Sequence, residues 1–185
     1  MASSRKKQPR EVRSRLLKAT AEVAAEQGLD AVTIAEVSKR AGVTSGGLFH
    51  HFPSKKHLID ELINSCTLLF EKTIEELISR DPEPRGRFAR AYLLASNREE
   101  ALCQASSQMG NVLMAMTRDP EMSARWEAWL ETQMKKYGPE SDPVLGDIIR
   151  YASDGLWMEG LVMASPDNDR RQAAIDRLLE MTYKL

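Results

Sequence analysis

Apolar residues return every three or four positions along most of this chain and seldom alternate, which is the period of an α-helix rather than of a strand. Val12, Leu16, Leu17, Val23 and Ala24 open the pattern, and Leu62, Leu69, Phe70, Ile74, Leu77 and Ile78 repeat it. Breakers divide it at Gly28, Gly42, Pro53, Asp81-Pro82-Glu83-Pro84, Asp119-Pro120, Gly138-Pro139, Asp142-Pro143 and Ser165-Pro166-Asp167. The pattern predicts an all-α fold of about nine helices, over residues 11–27, 34–41, 45–51, 55–79, 85–96, 98–117, 120–137, 143–164 and 168–183. Thr33, Thr44 and Ser54 each stand where a side-chain oxygen can cap the segment that follows. Asp119-Pro120 and Asp142-Pro143 place a cap before a Pro at the first helical position.

Two of these helices are too short to persist alone. Between them, Ala41-Gly42-Val43 supplies small residues for a close crossing and a Gly for the sharp turn, the form of a helix-turn-helix. Ile34, Val37 and Ala41 of the first helix and Val43 and Leu48 beyond the turn are expected to share one core. The second helix then offers outward Thr44, Ser45, Gly46, Gly47, His50 and His51, hydroxyls, imidazoles and bare backbone suited to phosphates and base edges. Phe52 reads as core, while Phe49 could face either way. The three histidines 50, 51 and 57 lie inside this motif with no Cys or paired acid nearby, so no metal site is expected.

Charge sharpens that picture. The 185 residues carry 26 Lys and Arg against 27 Asp and Glu, a net charge of −1. Residues 1–60 hold 11 basic and 6 acidic side chains, a net of +5, whereas residues 61–185 hold 15 and 21, a net of −6. A polyanion would therefore meet the N-terminal end, where Lys39, Arg40, Lys55 and Lys56 flank the short helices. The start, Met-Ala-Ser-Ser-Arg-Lys-Lys, has no apolar run behind it and does not read as a secretory signal. Runs such as Val112 to Met116 reach only about a quarter of the roughly 20 residues needed to span a bilayer. Cys66 and Cys103 stand far apart, without metal or disulfide spacing, and a cytoplasmic setting with no membrane partner is expected. No catalytic triad, metal motif or phosphate loop appears, so neither an enzyme nor a cofactor is expected.

Thr33 through Leu58, with Ala41-Gly42-Val43-Thr44, Gly46, Leu48-Phe49-His50-His51-Phe52 and Ser54-Lys55-Lys56-His57-Leu58, resembles the DNA-binding domain of TetR/AcrR-type transcriptional regulators. The resemblance covers roughly residues 11–62. It implies that Thr33 caps the second helix and touches a phosphate, and that Thr44 and Ser45 start the recognition helix. It further implies that Gly47, Phe49, His50 and His51 face double-stranded operator DNA and that Lys55 binds phosphate. Two positions depart from the family pattern: Phe49 stands where Tyr is frequent, and Gly47 where a larger residue is common. The resemblance also implies an all-helical regulatory domain that dimerises and encloses an effector pocket.

The expected organisation is therefore a basic flexible arm at 1–10, a DNA-binding domain at 11–54 and a helical effector-binding and dimerisation domain at 55–185. One short recognition helix reads few base pairs, so a homodimer on a palindrome is the economical form. Ile148, Ala152, Gly155 and Leu156, with Ala174 and Leu178, are the candidate interface, although packing within one subunit would also use them. Phe70, Met109, Leu113, Met116, Trp126, Trp129, Trp157 and Met158, with Met163 and a polar Glu159 or Gln108, are candidates to line a pocket for an apolar or amphipathic small molecule. The same side chains would equally serve an ordinary core. The function expected is a homodimeric repressor released by an effector. Alternatives are a thiol-based redox sensor using Cys66 or Cys103, or a ligand-independent DNA-binding partner protein.

Overall fold

The computed structural model describes residues 4–97, 120–137, 142–163 and 167–185. Among them the chain forms eight α-helices, one 3-10 turn at Leu29–Ala31, and no strand. The helices are α1 (Ser4–Gln27), α2 (Ile34–Ala41), α3 (Ser45–His51), α4 (Lys55–Arg80), α5 (Arg87–Asn97), α6 (Pro120–Tyr137), α7 (Pro143–Val162) and α8 (Asn168–Thr182). The all-α expectation holds, and α2, α3 and α6 have the bounds their sequences predict. The helix expected over 98–117 lies outside the described residues.

α1 departs most from the pattern-based reading. It begins at Ser4 rather than Glu11 and carries Pro9 within it, so helix replaces the expected flexible arm from Ser4 onward. Arg5, Lys6, Lys7 and Gln8 are all strong helix formers. Their preference extends the helix through Pro9 despite the one backbone bond that Pro cannot donate.

The described residues divide into two compact units, one ending at Leu68 and the other starting at Leu69, so the division falls within α4 rather than before it. Contacts decide this: Leu58 of α4 is buried in the first unit's core, while Phe70 and Ile74 belong to a cluster of the second. The first unit packs Leu16, Ala19, Val23 and Ala24 of α1 against Val37 and Ala41 of α2, Leu48 of α3, and Phe52. Val12, Ile34 and Val43 seal its margin. Gly28 ends α1, its N–H donating to the Ala24 carbonyl at 3.0 Å.

In the second unit α5 is the central element, packed against α6, α7 and α8. Ala89, Ala91, Tyr92, Leu93 and Ala95 are buried around most of its circumference, as a helix enclosed by others requires. Arg90 is buried with them and is fully engaged. Its Nε donates to Asp81 Oδ2 at 2.7 Å, Nη2 to the Glu83 carbonyl at 2.6 Å and Nη1 to Thr182 Oγ1 at 3.4 Å. The guanidinium also lies 4.4 Å from the Tyr183 ring centroid. This one side chain ties the α4–α5 connection to the end of α8. Burial pushes the Asp81 carboxyl upward, but hydrogen bonds from Arg90 and the Glu83 N–H outweigh it and hold the group below its ordinary value.

Candidate nucleic-acid interface

The two short helices are delimited by side-chain chemistry. Thr33 caps α2, its Oγ1 accepting from the Glu36 N–H at 3.2 Å. Thr44 caps α3, accepting from the Gly47 N–H at 3.0 Å, and Ser54 accepts from the His57 N–H at 3.1 Å where α4 begins. Each hydroxyl keeps its own proton to donate to a phosphate. Between α2 and α3, Gly42 adopts φ +66°, and its N–H donates to the Lys39 carbonyl while the Val43 N–H donates to that of Ser38. This left-handed closure satisfies the last free carbonyls of α2 and turns the chain into α3.

The turn leaves α3 with one buried residue, Leu48, and a polar outer surface. Thr33, Thr44, Ser45, Gly46 and His50 are exposed, and Gly47 and His51 are half-buried. Phe49 is 49% exposed whereas Phe52 is wholly buried, so the two phenylalanines face opposite ways. Burial, then the neighbouring His50 and Arg13, push the His51 imidazole below its ordinary value, which favours the neutral ring. Arg13 lies 5.1 Å from the centre of the Phe52 ring and is ion-paired with Glu61, bracing α1 on α4. The Lys55 ammonium donates to the Asp30 carbonyl at 3.3 Å, which places it beside the α1–α2 connection. Arg40 is held by Glu26 at 2.6 Å and by Glu36 at 3.8 Å. Among the described residues no three His, Cys, Asp or Glu side chains converge as a metal site.

The second unit brings part of the expected ligand set together. Phe70 of α4 stands 6.1 Å from Trp126 and 5.7 Å from Trp129 of α6, and those indoles stack at 4.7 Å. Tyr92 of α5 meets Phe70 edge-on at 5.5 Å, and Phe88 extends the assembly to Tyr137. The Tyr92 hydroxyl donates to Asp154 Oδ1 at 2.7 Å, and burial raises both groups above their ordinary values. No local pattern in the sequence marks Tyr92, Phe88 and Asp154, because the partners that define them lie on other helices. Trp157 makes no ring contact with this assembly, and Met158 and Met163 are exposed. Met109, Leu113, Met116, Gln108 and Cys103 lie outside the described residues.

The expected interface residues separate onto two faces of α7. Ala152 and Leu156 pack, with Leu145, against a core of Ala89, Leu93, Ile149, Leu178 and Leu185, so Ala152, Leu156 and Leu178 serve intrachain packing. Ala174 is half-buried on α8. A second face, about 100° round the helix, exposes Val144 (69%), Ile148 (48%), Tyr151 (60%), Gly155 and Met158, a stripe with spacing of four, three, four and three. The apolar sector read from the sequence was thus wide because it serves two faces.

A short capped helix projected from a core shared by α1, α2, α3 and the start of α4, with Lys39 and Lys56 exposed nearby in sequence, is the arrangement of a helix-turn-helix DNA-binding domain. Residues 16–62 match the model for bacterial regulatory proteins of the tetR family, and residues 86–183 match the tetracyclin repressor-like C-terminal domain. The chain belongs to the TetR family, and it is a DNA-binding transcriptional repressor. It is 38% identical over 170 residues to the HTH-type transcriptional repressor KstR2 of Mycolicibacterium smegmatis, covering 85% of this chain and 82% of that one. A transcriptional regulator from Rhodococcus sp. Rha1 superposes with a TM-score of 0.72 at 21% identity, covering 93% and 96% of the two chains. The ketosteroid transcriptional regulator KstR2 of Mycobacterium tuberculosis superposes with a TM-score of 0.65 at 22% identity, covering 93% of each. Redox sensing through Cys66 is not favoured: burial pushes its thiol up to about 11, leaving little reactive thiolate at neutral pH. None of the described helices is long and apolar enough to cross a membrane.

Proposed function

We propose that this repressor acts in the cytoplasm as a homodimer on a palindromic operator and leaves it when a flat, largely apolar small molecule enters the second unit. Thr33, Thr44, Ser45, Gly47, Phe49, His50, His51 and Lys55 contact DNA, the hydroxyls and Lys55 on phosphates and the outer face of α3 in the major groove. Two copies related by a two-fold axis set their recognition helices about 34–36 Å apart. The exposed α7 stripe is the natural seam for that pairing, with Ile148 and Tyr151 as anchors and Gly155 permitting close approach. The observation that carries the effector reading is the stacked Trp126–Trp129 pair against Phe70 and Tyr92. Such a wall suits a fused-ring ligand, and the relative described as a ketosteroid regulator makes ring ketones the first class to try. α4 contributes to both units, so a tilt of it would carry ligand occupancy to the DNA-facing helices.

The test is selection of sites from random duplex DNA at physiological salt, followed by titration of the best site with ring compounds, steroid ketones among them. A palindrome with half-sites about ten base pairs apart, bound at least tenfold more weakly by His50→Ala or Lys55→Ala and released by a ring compound, is the expected result. Operator affinity untouched by every ligand that binds would overturn the release mechanism. Recovery of no preferred sequence would overturn the reader.

A further inference from the structure

On α6 two polar atoms are buried with no partner: the indole N–H of Trp129, a member of the aromatic wall, and the amide oxygen of Gln133. They stand on successive turns of one face of α6, where side chains four residues apart are neighbours. Gln133 is only 2% exposed, and its Nε2 donates to Glu71 Oε1 at 3.0 Å. That bond fixes the amide: turning it over would set its oxygen against a carboxylate, so Oε1 must point away as a free acceptor. Trp129 packs on Phe70, the residue before Glu71, so both α6 side chains meet the same turn of α4. An unpaired buried donor one helical turn from an unpaired buried acceptor is a costly arrangement for a core whose only purpose is packing.

We propose that Trp129 and Gln133 form a polar station, resting on the effector reading above, that selects ring ligands bearing a hydroxyl next to the aromatic wall. A hydroxyl is the smallest group that can accept from the Trp129 N–H and donate to Gln133 Oε1 at once. An ether or ketone oxygen satisfies only the indole, and a hydrocarbon satisfies neither.

The test uses three naphthalenes of nearly equal size, 2-naphthol, 2-methoxynaphthalene and 2-methylnaphthalene, titrated calorimetrically into the full-length protein. 2-Naphthol should bind about tenfold more tightly than 2-methylnaphthalene, with the methoxy compound between them. Trp129→Phe keeps an aromatic ring but loses the donor, and should make the methoxy and methyl compounds equal. Gln133→Met keeps the volume but loses the acceptor, and should bring 2-naphthol down to the methoxy compound. Equal binding of all three by the unaltered protein, the result if a water already bridges the two atoms, would overturn the station while leaving the effector site standing. So would an intact preference in both variants. Binding of none of the three would overturn the station together with the ligand site on this wall.

Discussion

The two units spend polar groups in opposite ways. In the first, the caps that start α2, α3 and α4 are side-chain hydrogen bonds between residues three apart: Thr33 to Glu36, Thr44 to Gly47, Ser54 to His57. In the second, the bonds that cross the interior join helices distant in sequence: Arg90 to Thr182, Tyr92 to Asp154, Gln133 to Glu71 and Arg171 to Asn97. Local caps fix where a short helix begins and leave its outer face free for a partner. Long-range bonds instead fix how helices pack around an interior. A reader needs the first and a sensor the second, so mutations should damage the two units through different mechanisms.

The largest effect belongs to the long-range class. Arg90→Met should cost about 3–5 kcal/mol in urea unfolding, because it strands the Asp81 carboxylate and the Glu83 carbonyl beside a buried apolar side chain. Asp81, held below its ordinary value, contributes stability that is complete above the unfolded-state pKa of about 4. That contribution is lost as pH falls through the lower folded value. Acidification should therefore weaken the unaltered protein more than Asp81→Asn. Asp154 has the opposite sign: burial raises it, so it favours the fold as it takes up a proton, and Asp154→Asn isolates the Asp81 contribution. A pH profile unchanged by Asp81→Asn would show that Arg90 acts through its carbonyl and ring contacts alone.

Two glycines offer a matched comparison at lower energy. Gly42 and Gly86 have nearly the same φ, +66° and +65°. A Cβ at Gly42 would meet no heavy atom within 4 Å, whereas one at Gly86 would overlap the Thr182 carbonyl. Gly42→Ala should thus cost only the left-handed strain, about 1–2 kcal/mol. Gly86→Ala adds a clash with backbone at the end of α8 and should cost about 3 kcal/mol or more. Equal losses in thermal unfolding would mean that strain dominates at both sites and that α8 yields to the added methyl.

The same division explains what could be read from the residues beforehand. α2 and α3 have their predicted bounds because caps and Gly42 act within a few residues, and the outward set around Thr44 and His50 follows from helix period and one turn. Phe49 could not be assigned, since a short helix presents too few turns to define a stripe; the structure turns it outward. The partnership of Asp81 with Arg90 was invisible, because Asp81-Pro82-Glu83-Pro84 reads only as a breaker. α7 misled in a different manner. Its apolar residues read along the chain as one sector, yet Ala152 and Leu156 pack into the core with α5 and α8 while Ile148 and Tyr151 face outward. No local pattern distinguishes a helix buried on one wide face from one with two narrow faces.

The smallest effect is the sharpest test of the DNA-facing geometry. Phe49 is half exposed and absent from the core that holds Leu48 and Phe52, so Phe49→Tyr adds a hydroxyl in solvent and should shift stability by no more than about 0.5 kcal/mol. The TetR-family pattern frequently has Tyr at this position. If the outer edge of Phe49 comes within reach of a phosphate when α3 lies in the groove, one added hydrogen bond worth about 1 kcal/mol should tighten operator binding about fivefold. A phenol adds no charge, so the slope of affinity against salt should not change. Unchanged affinity would place the edge of the ring at position 49 out of reach of phosphate. Weakened affinity would show that the bare ring packs against an apolar part of the groove, such as a thymine methyl, where a hydroxyl cannot be satisfied.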